Sequence, residues 1–164
     1  MECTVRPIAE EHIAGFHAAL DYVAREKKYL AFLEAPPLEK TAAFIRNNIK
    51  EDHPQFVAVA DGKVVGWCDV IPAKDRPIHA HTGVLGIGIL PAHRGKGVGR
   101  ALMTATIEKA RAQGLTRIEL TVREKNANAV ALYKKLGFDT EGLKKNAVRI
   151  DGVYENIILM ALLF

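Results

Sequence analysis

The stretch GILPAHRGKGVGRAL, residues 88–102, is the part of the sequence that decides the fold. It contains four glycines and three basic residues, and an apolar pattern of helical spacing begins at its end. Glycine loses more conformational freedom on folding than any other residue, so a cluster of glycines indicates that a partner approaches the backbone closely. The positive charge beside the glycines predicts that this partner is an anion.

The spacing of the glycines excludes two common phosphate-binding loops. A P-loop requires Gly-Lys followed by Ser or Thr, whereas Gly95-Lys96 is followed by Gly97. A dinucleotide-binding turn requires G-x-G-x-x-G, and Gly95, Gly97 and Gly99 are spaced G-x-G-x-G. The remaining pattern is a strand, a turn and a helix that begins near Gly97, whose first N–H groups would hold a pyrophosphate. On this motif alone, a glycine-rich turn with solvated charges remains an alternative.

The composition of the chain is that of one mixed domain covering residues 1–164. Hydrophobic residues make up 49% and charged residues 26% of its 164 residues, and its net charge of +4 is small for a nucleic-acid-binding protein. The sequence contains neither a signal-peptide pattern nor an apolar run long enough for a membrane span. The two cysteines, Cys3 and Cys68, suit a reducing compartment. We therefore expect a cytoplasmic protein that binds neither nucleic acid nor membrane.

Hydrophobic periodicity and turn residues predict an alternation of strands and helices. We expect strands at 3–8, 55–60, 63–72, 80–90, 117–122, 138–150 and 153–164, and helices at 10–24, 38–50, 98–113 and 127–136. The second helix should turn Phe44 and Ile45 inward. Hairpin turns are expected at Asp61-Gly62 and at Asp151-Gly152.

A second motif gives the chain a family resemblance. The segment NANAVALYKKLGF, residues 126–138, and the first motif after Ile89-Leu90-Pro91 resemble the two signatures of the GCN5-related N-acetyltransferases (GNAT). The first signature, R/Q-x-x-G-x-G/A, is matched by Arg94, Gly97 and Gly99. The second is matched by Asn126, Ala129, Leu132, Tyr133, Lys135, Gly137 and Phe138. The two motifs occur in the family's order, and the resemblance covers residues 55–164 well and the first 50 only in outline.

The resemblance implies a fold and a cosubstrate. The fold is a single α/β (α+β) domain with a mixed, mostly antiparallel sheet, whose fourth and fifth strands are parallel and splayed, and with helices on both faces. The cosubstrate is acetyl-CoA, without a metal, and a homodimer is the expected oligomer. The cofactor-binding residues implied are Ile87, Gly88, Ile89, Arg94, Gly95, Lys96, Gly97, Val98, Gly99, Arg100, Asn126 and Tyr133.

The resemblance also assigns chemical roles. Tyr133 would act as the general acid that protonates the departing thiolate, although its position on an apolar stripe also fits a core tyrosine. The backbone N–H of Ile89 would stabilise the oxyanion. Asn126 would bind the CoA arm, cap its helix, or do both.

The general base is not identified by the motifs, because the strand before the glycine loop carries no carboxylate. Glu119 is our candidate base, and Asp69, His79 and His81 are further candidates. His79 and His81 would share one strand face, but they lack the third ligand that a metal site needs.

Gly86 and Gly88 would share one face of the fourth strand and leave space there. We expect the acceptor amine or the acetyl end of the cosubstrate to occupy that space.

The predicted reaction is transfer of an acetyl group from acetyl-CoA directly to the primary amine of a small molecule, with a free amino acid as the favoured acceptor. Residues 22–37 would form the acceptor-site wall, where Arg25, Lys27 and Lys28 could bind a carboxylate or remain solvated. Two alternatives stay open: acetylation of a protein N-terminus or lysine, and a CoA-binding module without activity.

Overall fold

One seven-stranded sheet organises the chain, in a computed structural model that describes residues 2–164. The strand order is β1-β2-β3-β4-β5-β7-β6, and only the β4–β5 pair is parallel. The strands are β1 (Cys3–Pro7), β2 (Gln55–Ala60), β3 (Lys63–Pro72), β4 (Thr82–Ile89), β5 (Arg117–Arg123), β6 (Asp139–Ile150) and β7 (Val153–Leu163). The helices are α1 (Ile13–Arg25), α2 (Leu38–Lys50), α3 (Val98–Ala112) and α4 (Ala127–Lys135).

The sheet separates two hydrophobic cores. On one face, α1 and α2 pack through Phe16, Val23 and Ile45 against Trp67 of β3. On the other face, α3 contributes Leu102 and Met103, and α4 contributes Tyr133. The predicted architecture, a mixed sheet with helices on both faces, is therefore confirmed.

The hairpin turns follow their residue types. Asp61 and Gly62 have φ angles of 50° and 74°, and Asp151 and Gly152 have φ angles of 51° and 80°. Two successive residues with positive φ match the twist of paired strands, which is why Asp-Gly is favoured in two-residue hairpins. Both predicted hairpins are confirmed.

Three local predictions were wrong. Phe44, which we expected to face inward, exposes 40% of its surface, because Thr41, Ile45 and Asn48 form the buried stripe of α2. The helix predicted from residue 10 begins with a short 3₁₀ turn, Glu10–His12, before α1. His79 and His81 do not share a strand face, because Pro77 opens a 3₁₀ turn at Pro77–His79 and β4 starts only at Thr82.

No helix within residues 2–164 has the length and apolar character needed to cross a membrane.

Candidate active site

The two parallel strands β4 and β5 separate after three residue pairs. Their pairing joins Thr82–Val84 to Arg117–Glu119 and ends there. Beyond this point, β4 stays paired with β3 as far as Ile89, and β5 stays paired with β7 as far as Arg123. A V-shaped slot with an unpaired edge of β4 therefore opens in the middle of the sheet, as the family resemblance implies.

The end of β4 directs backbone groups into this slot. Leu90 donates its N–H to the carbonyl of Val65 on β3 at 2.8 Å. Because successive N–H groups of a strand point to opposite edges, the N–H of Ile89 lies on the slot side. This orientation suits the oxyanion contact predicted for Ile89, which stays a prediction.

The glycine loop presents a row of free N–H groups at the start of α3. Gly95 and Gly97 have φ angles of 70° and 82°, a conformation that other residues adopt with strain. Arg94 donates its N–H to Pro91, and Ala101 donates to Gly97. Within the described chain, the six N–H groups between them, those of residues 95–100, make no such bond. Together with the helix dipole, they form an anion-binding surface.

A cleft of about 550 Å³ joins the slot to this loop. Ten of the twelve predicted cofactor residues line it, namely Ile87, Gly88, Ile89, Arg94, Gly95, Gly97, Gly99, Arg100, Asn126 and Tyr133. Lys96 is exposed and Val98 is buried, and neither lines the cleft. Lys135 of the second motif also lines it, and so do Val23 from α1 and Asn128 from α4, which the sequence motifs did not single out.

Tyr133 reaches the cleft from the hydrophobic side of α4. It is 7% exposed, and its ring packs against Phe138 with 6.1 Å between the ring centroids. Burial raises the pKa of Tyr133, so its hydroxyl is protonated at neutral pH. The hydroxyl forms no hydrogen bond within residues 2–164 and lies at the cleft wall, where it could donate a proton to a bound ligand. Both interpretations of Tyr133, a core ring and a site hydroxyl, are compatible with its position.

The guanidinium of Arg94 is engaged by three other segments of the chain. Its Nε donates to the carbonyl of Ile89 at 2.8 Å, and its Nη1 and Nη2 form a bidentate pair with the carboxylate of Glu26. The ring of Tyr29 lies beneath it, 4.7 Å from Cζ to the ring centroid. In this conformation Arg94 connects the loop to the end of α1, and its part in cofactor binding stays a prediction.

A second arginine, which sequence reasoning missed, holds the same segment from β5. Arg123 is 4% exposed, and it donates from Nη1 to the carbonyl of Lys27 at 2.6 Å and from Nη2 to that of Leu30 at 2.7 Å. One feature of the sequence could have drawn attention to it: Arg123 directly follows RIELTV, the alternating residues of a predicted strand. A charged side chain that lies buried at the end of a strand almost always has a partner. Arg94 and Arg123 together fix residues 26–30 beside the cleft.

Two of the basic residues proposed for an acceptor carboxylate are already paired. Arg25 forms ion pairs with Asp21 and Glu34, and Lys27 forms one with Asp151. These contacts occupy both side chains, so of the three only Lys28 has no ion pair within the described residues.

The glycines of β4 do not share an empty face. An ideal Cβ at Gly88 would lie 2.1 Å from Cη2 of Trp67, its partner across the strand pair. The prediction of space for a ligand at Gly88 is therefore wrong, because the indole of Trp67 fills it. An ideal Cβ at Gly86 would have a single atom within 4 Å, Oδ1 of Asp69 at 3.3 Å.

The remaining candidates lie at the edge of the site. Asn126 caps α4 by accepting the N–H of Ala129 at 3.3 Å, and it also lines the cleft. Glu119 lies outside the cleft lining, and its carboxylate accepts from Nε of Arg117 at 3.1 Å. Its role as a base stays a prediction that this ion pair does not favour. Residues 2–164 contain no group of three or more His, Cys, Asp and Glu side chains arranged for a metal ion.

Comparison with known proteins decides the family. The model of the acetyltransferase (GNAT) family matches residues 16–138, three quarters of the chain. The chain belongs to the GNAT acetyltransferase family. It is 39% identical over 108 residues to the L-amino acid N-acetyltransferase AaaT of Escherichia coli K12, covering 65% of this chain and 66% of AaaT. The alignment thus spans slightly less than two thirds of that relative's length.

Two further comparisons agree with this assignment. The chain is 30% identical over 127 residues to the [ribosomal protein bS18]-alanine N-acetyltransferase of E. coli K12, covering 77% of this chain and 80% of that protein. The crystal structure of a GNAT-family acetyltransferase from Streptococcus pneumoniae superimposes with a TM-score of 0.92 at 28% identity, covering 99% of this chain and all of that one. Both comparisons thus agree with membership of the acetyltransferase (GNAT) family.

Proposed function

We propose that this acetyltransferase transfers the acetyl group of acetyl-CoA directly to the primary amine of a free amino acid or a closely related small amine. The observation that carries the proposal is the slot between β4 and β5, whose two ends suit the two ends of acetyl-CoA. The row of N–H groups at residues 95–100 suits the pyrophosphate. The unpaired edge at Ile87–Ile89 suits the pantetheine amides, which would add to it like a strand.

The chemistry of transfer follows from this placement. The N–H of Ile89 would polarise the thioester carbonyl and stabilise the oxyanion that forms on attack. The hydroxyl of Tyr133 would donate a proton to the departing sulfur. Val98 supports the loop from the core, and Lys96 and Arg100 add positive charge around the phosphates.

The small acceptor is supported by the segment that follows α1. Residues 26–30 are held against the cleft by Arg94 and by Arg123, so this wall is fixed rather than open. The relative of 39% identity is named as an acetyltransferase of L-amino acids. A fixed wall suits a compact acceptor better than a polypeptide, which needs an open groove.

A protein N-terminus is the second candidate acceptor. It is favoured by the relative that acts on the alanine of ribosomal protein bS18, because that alignment covers a larger share of both chains than the alignment with AaaT does. The two candidates differ in acceptor size and share every step at the thioester.

Thiol release from acetyl-CoA tests the proposal. The purified protein is given each of the twenty amino acids, and in parallel short peptides with free N-termini, including one that starts with alanine. Turnover with free amino acids at a higher kcat/KM than with any peptide is expected. A higher kcat/KM with the peptides would show that the acceptor is a protein N-terminus rather than a free amino acid. The absence of turnover with every amine would contradict the proposal that the protein is an active enzyme.

The cytoplasmic location and the homodimer stay predictions. Light scattering coupled to gel filtration tests the second, with a mass near twice 18.0 kDa as the expected result.

A further inference from the structure

A buried polar chain runs from α2 to the active-site strand. Nδ1 of His53 lies 3.1 Å from Oδ1 of Asn48, and Nδ2 of Asn48 donates to Oε1 of Gln55 at 3.0 Å. Nε2 of Gln55 then donates to Oδ2 of Asp69 at 3.2 Å. Asn48 and Gln55 are each 2% exposed and Asp69 is 7% exposed, so the last three members lie in the protein interior. Buried polar groups are costly unless they are paired. The hydrogen-bonded side chains pair Oδ2 of Asp69 and leave its Oδ1 without a donor.

The second oxygen of Asp69 faces β4. Asp69 pairs with Gly86 across β3 and β4, and its Oδ1 is the only atom within 4 Å of an ideal Cβ at Gly86. Gly86 is partly exposed, whereas the next glycine on the same face, Gly88, is buried under Trp67. The position over Gly86 is thus free of other side chains, and a carboxylate oxygen bounds it at 3.3 Å.

We propose that Asp69 accepts the proton of the acceptor ammonium group, directly or through one water held over Gly86, and so acts as the base of the transfer. The inference rests on the proposed function, since it assigns a residue to that reaction. Gly86 lies directly before Ile87–Ile89, the part of β4 proposed to hold the thioester. Neither Gly86 nor Asp69 lines the cleft, so the amine would reach the thioester over this face of β4 rather than through the cleft.

The charges around Asp69 leave its carboxylate with the properties of a base. Burial raises the pKa of Asp69 to about 7, and the hydrogen bond from Gln55 partly opposes that shift. The facing groups are neutral amides, Asn48 from α2 and Gln55 from β2, and β4 contributes Gly86 without a side chain. His53, at the far end of the hydrogen-bonded chain, and Cys68, the neighbour of Asp69 in sequence, are the titratable groups that adjoin it. No Lys or Arg within residues 2–164 forms a salt bridge with Asp69, in contrast to Glu119.

The proton balance of the step closes with the groups described. The ammonium group gives one proton to Asp69, which later releases it to solvent, and the neutral amine attacks the thioester carbonyl carbon. When the tetrahedral intermediate collapses, the C–S bond breaks and the nitrogen loses a second proton to solvent. The sulfur receives a proton from Tyr133, which recovers one from solvent. The products are the N-acetylated amine, CoA with a free thiol, and one released proton.

The pH dependence of kcat/KM tests this role. With Asp69→Asn, only amine that is already neutral can react, so kcat/KM should rise about tenfold per pH unit up to the pKa of the amine. The wild type should instead reach a plateau above about pH 7. At pH 7 the variant should be slower by about a hundredfold or more, with the gap narrowing as the pH rises. A purely structural role would lower kcat/KM by the same factor at every pH, and that result would overturn the proposal.

Two further variants keep the test decisive. Asp75→Asn removes an exposed carboxylate from the turn after β3 and should leave the wild-type profile unchanged. Gly86→Ala retains Asp69 and fills the space over the strand, so it should lower kcat/KM while the melting temperature and its rise with acetyl-CoA are retained. Normal turnover in Gly86→Ala would overturn the proposal even if Asp69→Asn fails to fold. If the wild type itself releases no thiol with any amine, the proposed function fails; if only the variants behave like wild type, Asp69 alone is excluded.

Discussion

Trp67 of β3 lies directly opposite Gly88 of β4, and its indole covers the position that a side chain at residue 88 would occupy. An ideal Cβ there would lie 2.1 Å from Cη2 and 2.5 Å from Cζ2. Trp67 is 4% exposed and also contacts Phe16 of α1, with 5.4 Å between the ring centroids. The glycine therefore lets an aromatic residue of the α1–α2 core lie flat on the strand that forms the slot.

Gly88→Ala should destabilise the fold through this contact. The indole is held by α1 and cannot move away without disturbing the core, so overpacking should lower the free energy of unfolding by about 1–3 kcal/mol. Chemical denaturation followed by Trp67 fluorescence measures the effect directly, because this is the only tryptophan of the chain. Gly86→Ala is the matched control, since a Cβ at residue 86 would meet only Oδ1 of Asp69, at 3.3 Å. Equal stability of the two variants would contradict the packing role of Trp67.

The sequence predicted the elements of the fold but not which side chains meet across the sheet. The Asp-Gly turns, the alternation of RIELTV and the two motifs depend on local spacing, and all of them correspond to the structure. Phe44 was misplaced because an apolar residue beside the true stripe of α2 fits a helical period almost as well.

The site residues likewise divide into those that local motifs predicted and those that depend on contacts between distant parts of the chain. The glycine loop and Tyr133 belong to contiguous motifs, and these residues line the cleft. The contact of Arg94 with Glu26 joins residues 68 apart in sequence, and those of Arg123 with Lys27 and Leu30 join residues 96 and 93 apart. No local pattern encodes such pairs, so they become visible only when the chain is folded.

Glu26→Gln should weaken binding of the acceptor without weakening binding of acetyl-CoA. It weakens the clamp between Glu26 and Arg94 but leaves the N–H groups of residues 95–100 in place. We expect KM for the acceptor to rise roughly three- to tenfold, as for the loss of part of a charged hydrogen bond, while the affinity for acetyl-CoA stays within about twofold. Steady-state kinetics and calorimetric titration with acetyl-CoA measure the two effects.

Two further variants serve as the negative and the positive control of this experiment. Glu51→Gln, at an exposed carboxylate after α2 that has no ion pair within the described residues, should change neither constant. Arg100→Glu should weaken acetyl-CoA binding at least about tenfold, because it places a negative charge beside the pyrophosphate position. Loss of acetyl-CoA affinity in Glu26→Gln would show that the clamp itself belongs to the cosubstrate site.

Tyr133→Phe retains the buried ring and removes only the hydroxyl. Because that hydroxyl has no hydrogen-bond partner in the described chain, stability should hardly change. The loss of a general acid should lower kcat by about ten- to a thousandfold, with little change in acetyl-CoA affinity. Full activity in the variant would leave Tyr133 as a packing residue of α4.

Asp69 should make the stability of the protein depend on pH in an unusual direction. The pKa of Asp69 is about 7 in the folded chain and near its ordinary value of 3.8 when unfolded, so between these values the folded state holds a proton that the unfolded state has lost. The contribution of this group is therefore favourable at low pH and is lost as the pH rises through about 7. Asp69→Asn carries no such charge, and relative to the wild type it should gain on the order of 2–4 kcal/mol of unfolding free energy between pH 4 and pH 8. Denaturation curves of both proteins across this range give the difference at each pH, which cancels the titration of the other carboxylates. A difference that stays constant from pH 4 to pH 8 would mean that the pKa of Asp69 is the same in the folded and the unfolded protein, and that its position over Gly86 does not hold a neutral carboxyl group.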